Sequence, residues 1–179
     1  MADFPGQAVL FPGLKNLSSL NLDVGLAQLW LNGGSASRTG TAWPSANLAI
    51  FVPVVVGTPF TVMRFGVENG TVSGNLDAGI YTSEGKLVVS TGSTAQSGVS
   101  QWQSIDVTDT LIPPGLYYLA LALNNGTGQV ARCGFTALNL RQSGVMQMAS
   151  AFALPATATF AAMAQAYLPS MVAVGATTL

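Results

Sequence analysis

A chain of 179 residues has the size of one ordinary domain, for which surface scaling gives roughly 8,000 Å² of folded exterior. Only six Lys and Arg and seven Asp and Glu decorate it, 7% of residues against 49% apolar, whereas a soluble domain usually carries charge on about a quarter of its positions. A net charge of −1 and the absence of His exclude phosphate-backbone binding as a main activity, Ser-His-Asp and Cys-His catalysis, and most zinc sites.

The single Cys133 makes no internal disulfide and reads as a small buried hydrophobe. Met1-Ala2-Asp3-Phe4-Pro5 lacks the basic and apolar regions of a secretory signal, so synthesis in a cytosol is expected. A membrane span has little support. Leu48 to Val56 is too short and contains Pro53, and the uncharged stretch after Arg141 is interrupted by Pro155, Pro169 and several Gln.

Residues 1–47 read as an extended apolar arm, punctuated by Phe4-Pro5-Gly6, Phe11-Pro12-Gly13 and Gly33-Gly34. Leu17, Leu20 and Val24 fit helical spacing, while Leu20, Leu22, Val24 and Leu26 fit alternation; β-branched Val24 tilts the reading toward strand. Trp43 before Pro44 marks the junction with the next block.

Residues 48–143 carry an all-β pattern. Strands are expected at Leu48 to Val56, buried on both faces, and at Phe60 to Glu68. In the next strand Leu76, Ala78 and Ile80 alternate with a wet face of Asp77, Gly79 and Tyr81. Ser83-Glu84-Gly85-Lys86 is a hairpin turn into Leu87 to Ser90. Further strands follow at Gln101 to Val107, Leu116 to Leu123 and Gln129 to Leu138, separated by Pro113-Pro114-Gly115 and Asn124-Asn125-Gly126. The fold expected is a single antiparallel β-sandwich, jelly-roll-like, with extended apolar N- and C-terminal arms. Residues 144–179 hold no charge and supply strands or an arm that completes the sandwich or a subunit interface.

Chemistry-bearing patterns are sparse. Glu68, Asp77, Glu84, Asp106 and Asp109 offer no pair that sequence places at glycosidase separation. Asp106 and Asp109 with Asn124 and Asn125 make a weak calcium pattern, and phosphate-binding glycine loops are absent. No catalytic residue, metal or cofactor is assigned. Trp102, Tyr81 and Tyr117 are candidates for stacking on a carbohydrate. Tyr117 and Tyr118, being neighbours on one strand, must point to opposite faces.

Read as a unit, the sandwich block resembles a group of virion structural proteins of tailed bacteriophages, tail-fibre-like or minor structural proteins. The residues carrying the resemblance are Ala49-Ile50-Phe51-Val52-Pro53, Asn69 to Tyr81, Ser90 to Gly98, Pro114 to Ala122 and Ala151 to Thr159, together about residues 45–170. It implies a non-enzymatic β-sandwich building block. No shaft-like repeat is present, so a capsid decoration or cement role, clamping neighbouring subunits, is expected ahead of the alternative, a tail-fibre or tail-tip module binding host carbohydrate. The expected partners are further copies of the chain, as a trimer or other cyclic oligomer, and other virion proteins such as the major capsid protein or tail and neck proteins. The expected contacts are Phe4, Phe11, Leu14, Leu17, Leu20, Leu22, Trp30, Phe152, Phe160 and Tyr167. The expected location is the virion, after synthesis in the host bacterial cytoplasm.

Overall fold

The computed structural model describes residues 39–175. Within them 54% of residues are in strands and 4% in helix, and every ladder is antiparallel, so the chain is all-β. Apolar, β-branched-rich segments form β2 (Ala49–Val56) and β3 (Phe60–Glu68), followed by β4 (Asn75–Thr82) and preceded by a short β1 (Thr39–Ala42). β5 (Leu87–Ser90) and β6 (Thr94–Ala95) precede the long β7 (Trp102–Ile112) and β8 (Gly115–Leu123). β9 (Gln129–Cys133) leads into helix α1 (Ala137–Gln142), and β10 (Met146–Met148), β11 (Ala161–Ala162), β12 (Leu168–Pro169) and β13 (Met171–Val174) complete the order.

These strands make three antiparallel sheets. A seven-stranded sheet runs β11-β10-β2-β8-β4-β5, with β6 on β4; two three-stranded sheets run β1-β9-β12 and β13-β3-β7. The smaller two are stitched together. The Ser170 N–H donates to the Ala131 carbonyl at 2.8 Å, the Glu68 N–H donates to the Ser170 carbonyl at 3.1 Å, and Asn69 bridges Val130. One core lies between all three: Ile50, Val52, Leu76, Ile80, Leu119 and Leu121 of the large sheet share it with Val62, Phe65, Val67, Val130 and Val172. Trp43 is buried there, edge-on to Tyr167 at 5.2 Å, with its indole N–H donating to the Leu48 carbonyl at 2.9 Å.

Local chemistry explains the turns and the departures. Gly85 takes φ +82° in the β4–β5 hairpin, a conformation glycine adopts without steric cost. The strand expected through Leu138 stops at Cys133. Beyond Gly134 the Thr136 hydroxyl accepts the Asn139 N–H and caps α1, satisfying a donor that a continued strand would have left to a neighbour. In β7 the register slips, so that Met63 of β3 faces Val107, Thr108 and Asp109; this bulge kinks the longest edge strand.

The end of the fold where β3 finishes and β7, β4 and β9 begin is closed by buried amides. The Asn69 Nδ2 donates to the Ser97 carbonyl at 2.6 Å and to Gln103 Oε1 at 3.0 Å, and its Oδ1 accepts from Gln96 Nε2 at 2.8 Å. Gln96 Nε2 also donates to the Gln129 carbonyl, its Oε1 accepts the Ser73 N–H, and Gln103 Nε2 donates to the Ala95 carbonyl. Asn69→Ala removes the side-chain donor to Ser97 and is expected to cost about 1–3 kcal/mol in urea unfolding. An unchanged midpoint would show that this network is incidental to the fold.

Candidate interaction surface

The centre of the large sheet is apolar on both faces. Even-numbered residues of β2 point into the shared core, while Ala49, Phe51, Pro53 and Val55 point outward, opposite Ala122, Ala120, Tyr118 and Leu116 of β8. An uncovered apolar face of this kind is costly in water, and the chain covers most of it with its own residues 150–160. Ala151, Leu154 and Ala158 are buried against Ala49, Phe51, Tyr81, Ala120 and Ala122. Phe160 meets Phe51 edge-on at 5.0 Å and tilts over Tyr118 at 4.6 Å. Gly79 of β4 makes room for this cover, since a Cβ there would stand 3.1 Å from Leu154 Cδ1 and 2.8 Å from the Val89 carbonyl.

Polar anchors fix the cover. Asp77 accepts the Leu154 N–H at 2.9 Å and the Thr91 hydroxyl at 3.2 Å, and the Tyr81 hydroxyl donates to the Pro155 carbonyl at 2.6 Å. The Ala158 N–H donates to the Gly85 carbonyl and the Leu87 N–H to the Ala156 carbonyl. The wet face expected of β4 is therefore buried, with Asp77 1% exposed and Tyr81 at 0%. Burial raises the Asp77 carboxyl above its ordinary value, although its hydrogen bonds to Leu154 and Thr91 pull the other way. Burial, then the neighbouring Asp77, raises the Tyr81 phenol as well.

The cover stops at Phe160, and the outer face does not. Pro53 and Tyr118 are half-buried beneath its margin, and the next cross-strand pair, Val55 and Leu116, is 73% and 47% exposed. The two connections beside them, Gly57-Thr58-Pro59 and Pro113-Pro114, are exposed, as is Leu111 at 63% on the opposite flank. No charged residue occurs from Val54 to Val62 or from Thr110 to Leu123. These two connections carry no formal charge, while the neighbouring β4–β5 turn at the same end holds Glu84 and Lys86.

The residues singled out from sequence fall in several places. Phe4, Phe11, Leu14, Leu17, Leu20, Leu22 and Trp30 lie outside the described residues. Phe152 and Phe160 pack within the chain's own cover. Tyr167 is buried, and its hydroxyl lies 2.7 Å from the Thr41 carbonyl and 2.9 Å from that of Val130. Burial raises its phenol above the ordinary value. Among the proposed stacking residues, Tyr81 has no exposed ring. Trp102, paired with Glu68, sits at the amide-closed end, and Tyr117, paired with Thr82, at the end where β8 begins, so the three do not form one platform.

The carboxylates are distributed among separate partners. Glu68 accepts from the Ser170 hydroxyl, Asp106 pairs with Arg64 at 3.1 Å, and Glu84 accepts from the Ser83 hydroxyl, which lowers its pKa. Among the described residues no group of three His, Cys, Asp or Glu is placed to hold a metal ion, and no helix is long and apolar enough to cross a membrane. The Val55–Leu116 pair was not distinguished in the sequence, because alternation marks both outer rows of β2 and β8 alike and does not say how far a distant segment will extend over them. Comparison with protein-family models, with curated proteins and with solved structures gives no match.

Asp77→Asn keeps an acceptor for Leu154 and removes the buried charge. A carboxyl whose folded-state pKa is raised contributes most below its unfolded value, 3.8, and that contribution is lost as pH rises through the folded value. The variant should therefore gain in thermal midpoint relative to the parent as pH rises from below that value toward neutrality. A difference that stays constant with pH would mean that Asp77 is not held in an unfavourable charged state.

Proposed function

We propose that this protein is a non-enzymatic structural component of a bacteriophage virion, made in the bacterial host. Its proposed role is capsid decoration or cementing, clamping neighbouring subunits, with copies of itself and other virion proteins as partners. The observation that carries this reading is the exposed apolar pair Val55 and Leu116, flanked by charge-free connections at Gly57-Thr58-Pro59 and Pro113-Pro114, on a chain with few formal charges. The resemblance of about residues 45–170 to tailed-phage structural proteins supports it, and so does the apolar character of residues 1–38.

In this reading the two small sheets act as one layer. β12 and β13 run on from one another through Ser170, joining β9 to β3, and the combined layer faces the seven-stranded sheet in a jelly-roll-like sandwich. Rigid two-layer bodies with apolar extensions suit repetitive attachment, because the body sets the spacing and the extensions supply contact area. A tail-tip module binding host carbohydrate has less support, since Trp102, Tyr81 and Tyr117 do not converge.

Deleting residues 2–30 is expected to abolish incorporation into phage particles while the isolated protein still folds. Quantifying the protein on purified particles by immunoblot checks this. Particles that carry the truncated chain at parental occupancy would remove the segment from the attachment mechanism.

A further inference from the structure

We propose that the uncovered end of the large sheet, the rows Pro53–Tyr118 and Val55–Leu116, seats the Phe-Pro-Gly segment, residues 4–13, of a second copy of this chain. The proposal rests on the assembly role put forward above and assigns that role a contact. Four observations converge on this occupant.

The seat continues a surface the chain already covers. On the same face, in the same register, rows Ala49–Ala122 and Phe51–Ala120 are buried under residues 150–160, and exposure begins where Phe160 ends the cover. The chemistry of that cover describes what the next rows accept: an uncharged segment with Phe152, Leu154 and Phe160 as anchors and Pro155 between them. Residues 4–13 repeat those properties, with Phe4, Phe11, Pro5 and Pro12 and no charge between Asp3 and Lys15.

Magnitudes select a segment over a second globular face. The exposure of Val55 and Leu116 amounts to about one fully exposed side chain, on the order of 200 Å². A stable face-to-face dimer buries about 800 Å² on each partner. A peptide with two aromatic anchors matches the smaller area, and each copy then makes two such contacts, one as donor and one as acceptor.

Reach and edge geometry complete the case. Residues 14–38 span up to about 80 Å when extended, against a body diameter of about 40 Å, so the segment can reach a neighbouring copy. Addition to a free sheet edge is the competing mode, and the edges are poor templates: β1 has four residues, β11 has two, and β7 is kinked at Val107 to Asp109 and carries Asp106 and Asp109.

The test uses purified full-length protein, a variant lacking residues 2–13, and Leu116→Glu, with Val55→Ser as a second seat variant should the first fail to fold. Light scattering on a sizing column should show the parent as an oligomer. Each variant alone should be a monomer with the parental melting profile, its association at least roughly tenfold weaker. Mixing the truncated chain with Leu116→Glu should restore a heterodimer, since one retains the seat and the other the segment. A monomeric parent, oligomeric variants, or a mixture that stays monomeric overturns the proposal; a monomeric parent is also the result expected if the segment docks on its own chain. Because the readout needs no particle, association without incorporation into particles would refute the virion reading and leave the contact standing. Incorporation without complementation would do the reverse.

Discussion

The whole structure depends on a sheet whose centre cannot tolerate water on either face. β2, β8 and β4 carry apolar residues at both parities, so one layer of packing is insufficient and the chain must supply two. The first comes from β3, β7, β9 and β13. The second comes from residues 150–160, which contribute no strand and act through Leu154, Ala151 and Phe160 laid across the sheet. Burying the outer face also explains the single ionised-type side chain beneath it: Asp77 gives up water to hold the Leu154 backbone in place, and Tyr81 does the same for Pro155.

At the end where β3 finishes, polarity is handled without charge. Three side-chain amides, Asn69, Gln96 and Gln103, join the ends of β3, β6 and β7 and the start of β9. Amides both donate and accept, so each saturates its neighbours without the desolvation cost that an ion pair would carry at the same depth. The formal charges that remain are mostly at the surface, as in the Arg64–Asp106 pair and at Glu84 in its turn. At this end amides take the internal polar role, while beneath the cover Asp77 fills it.

Much of the strand layout was legible in the sequence, because it is written in local chemistry. β2 and β3 lie where apolar, β-branched-rich runs are separated by Gly57-Thr58-Pro59, and the β4–β5 turn sits where Gly85 supplies a positive φ. What escaped depended on contacts distant in sequence. The outward residues of β4 read as wet because nothing near them announces that residue 154 will return 77 positions later to bond Asp77. The bulge at Val107 to Asp109 interrupts no residue pattern, and α1 was masked by an apolar run that its Thr136 cap overrides. The candidate surface was hidden for the same reason, since Val55 and Leu116 differ from Phe51 and Ala120 only in where a remote cover stops.

The path of the last segment bears on how the molecule is made. Between Met146 and Val174 the chain contributes β10 and β11 to the large sheet, β12 to one small sheet and β13 to the other. No sheet is complete until those residues are available, so a nascent chain still held at the ribosome short of that point has an open core and an exposed outer face. Folding is thereby tied to the synthesis of residues 146–174. Interrupted products are left with unpaired ladders for proteases to recognise.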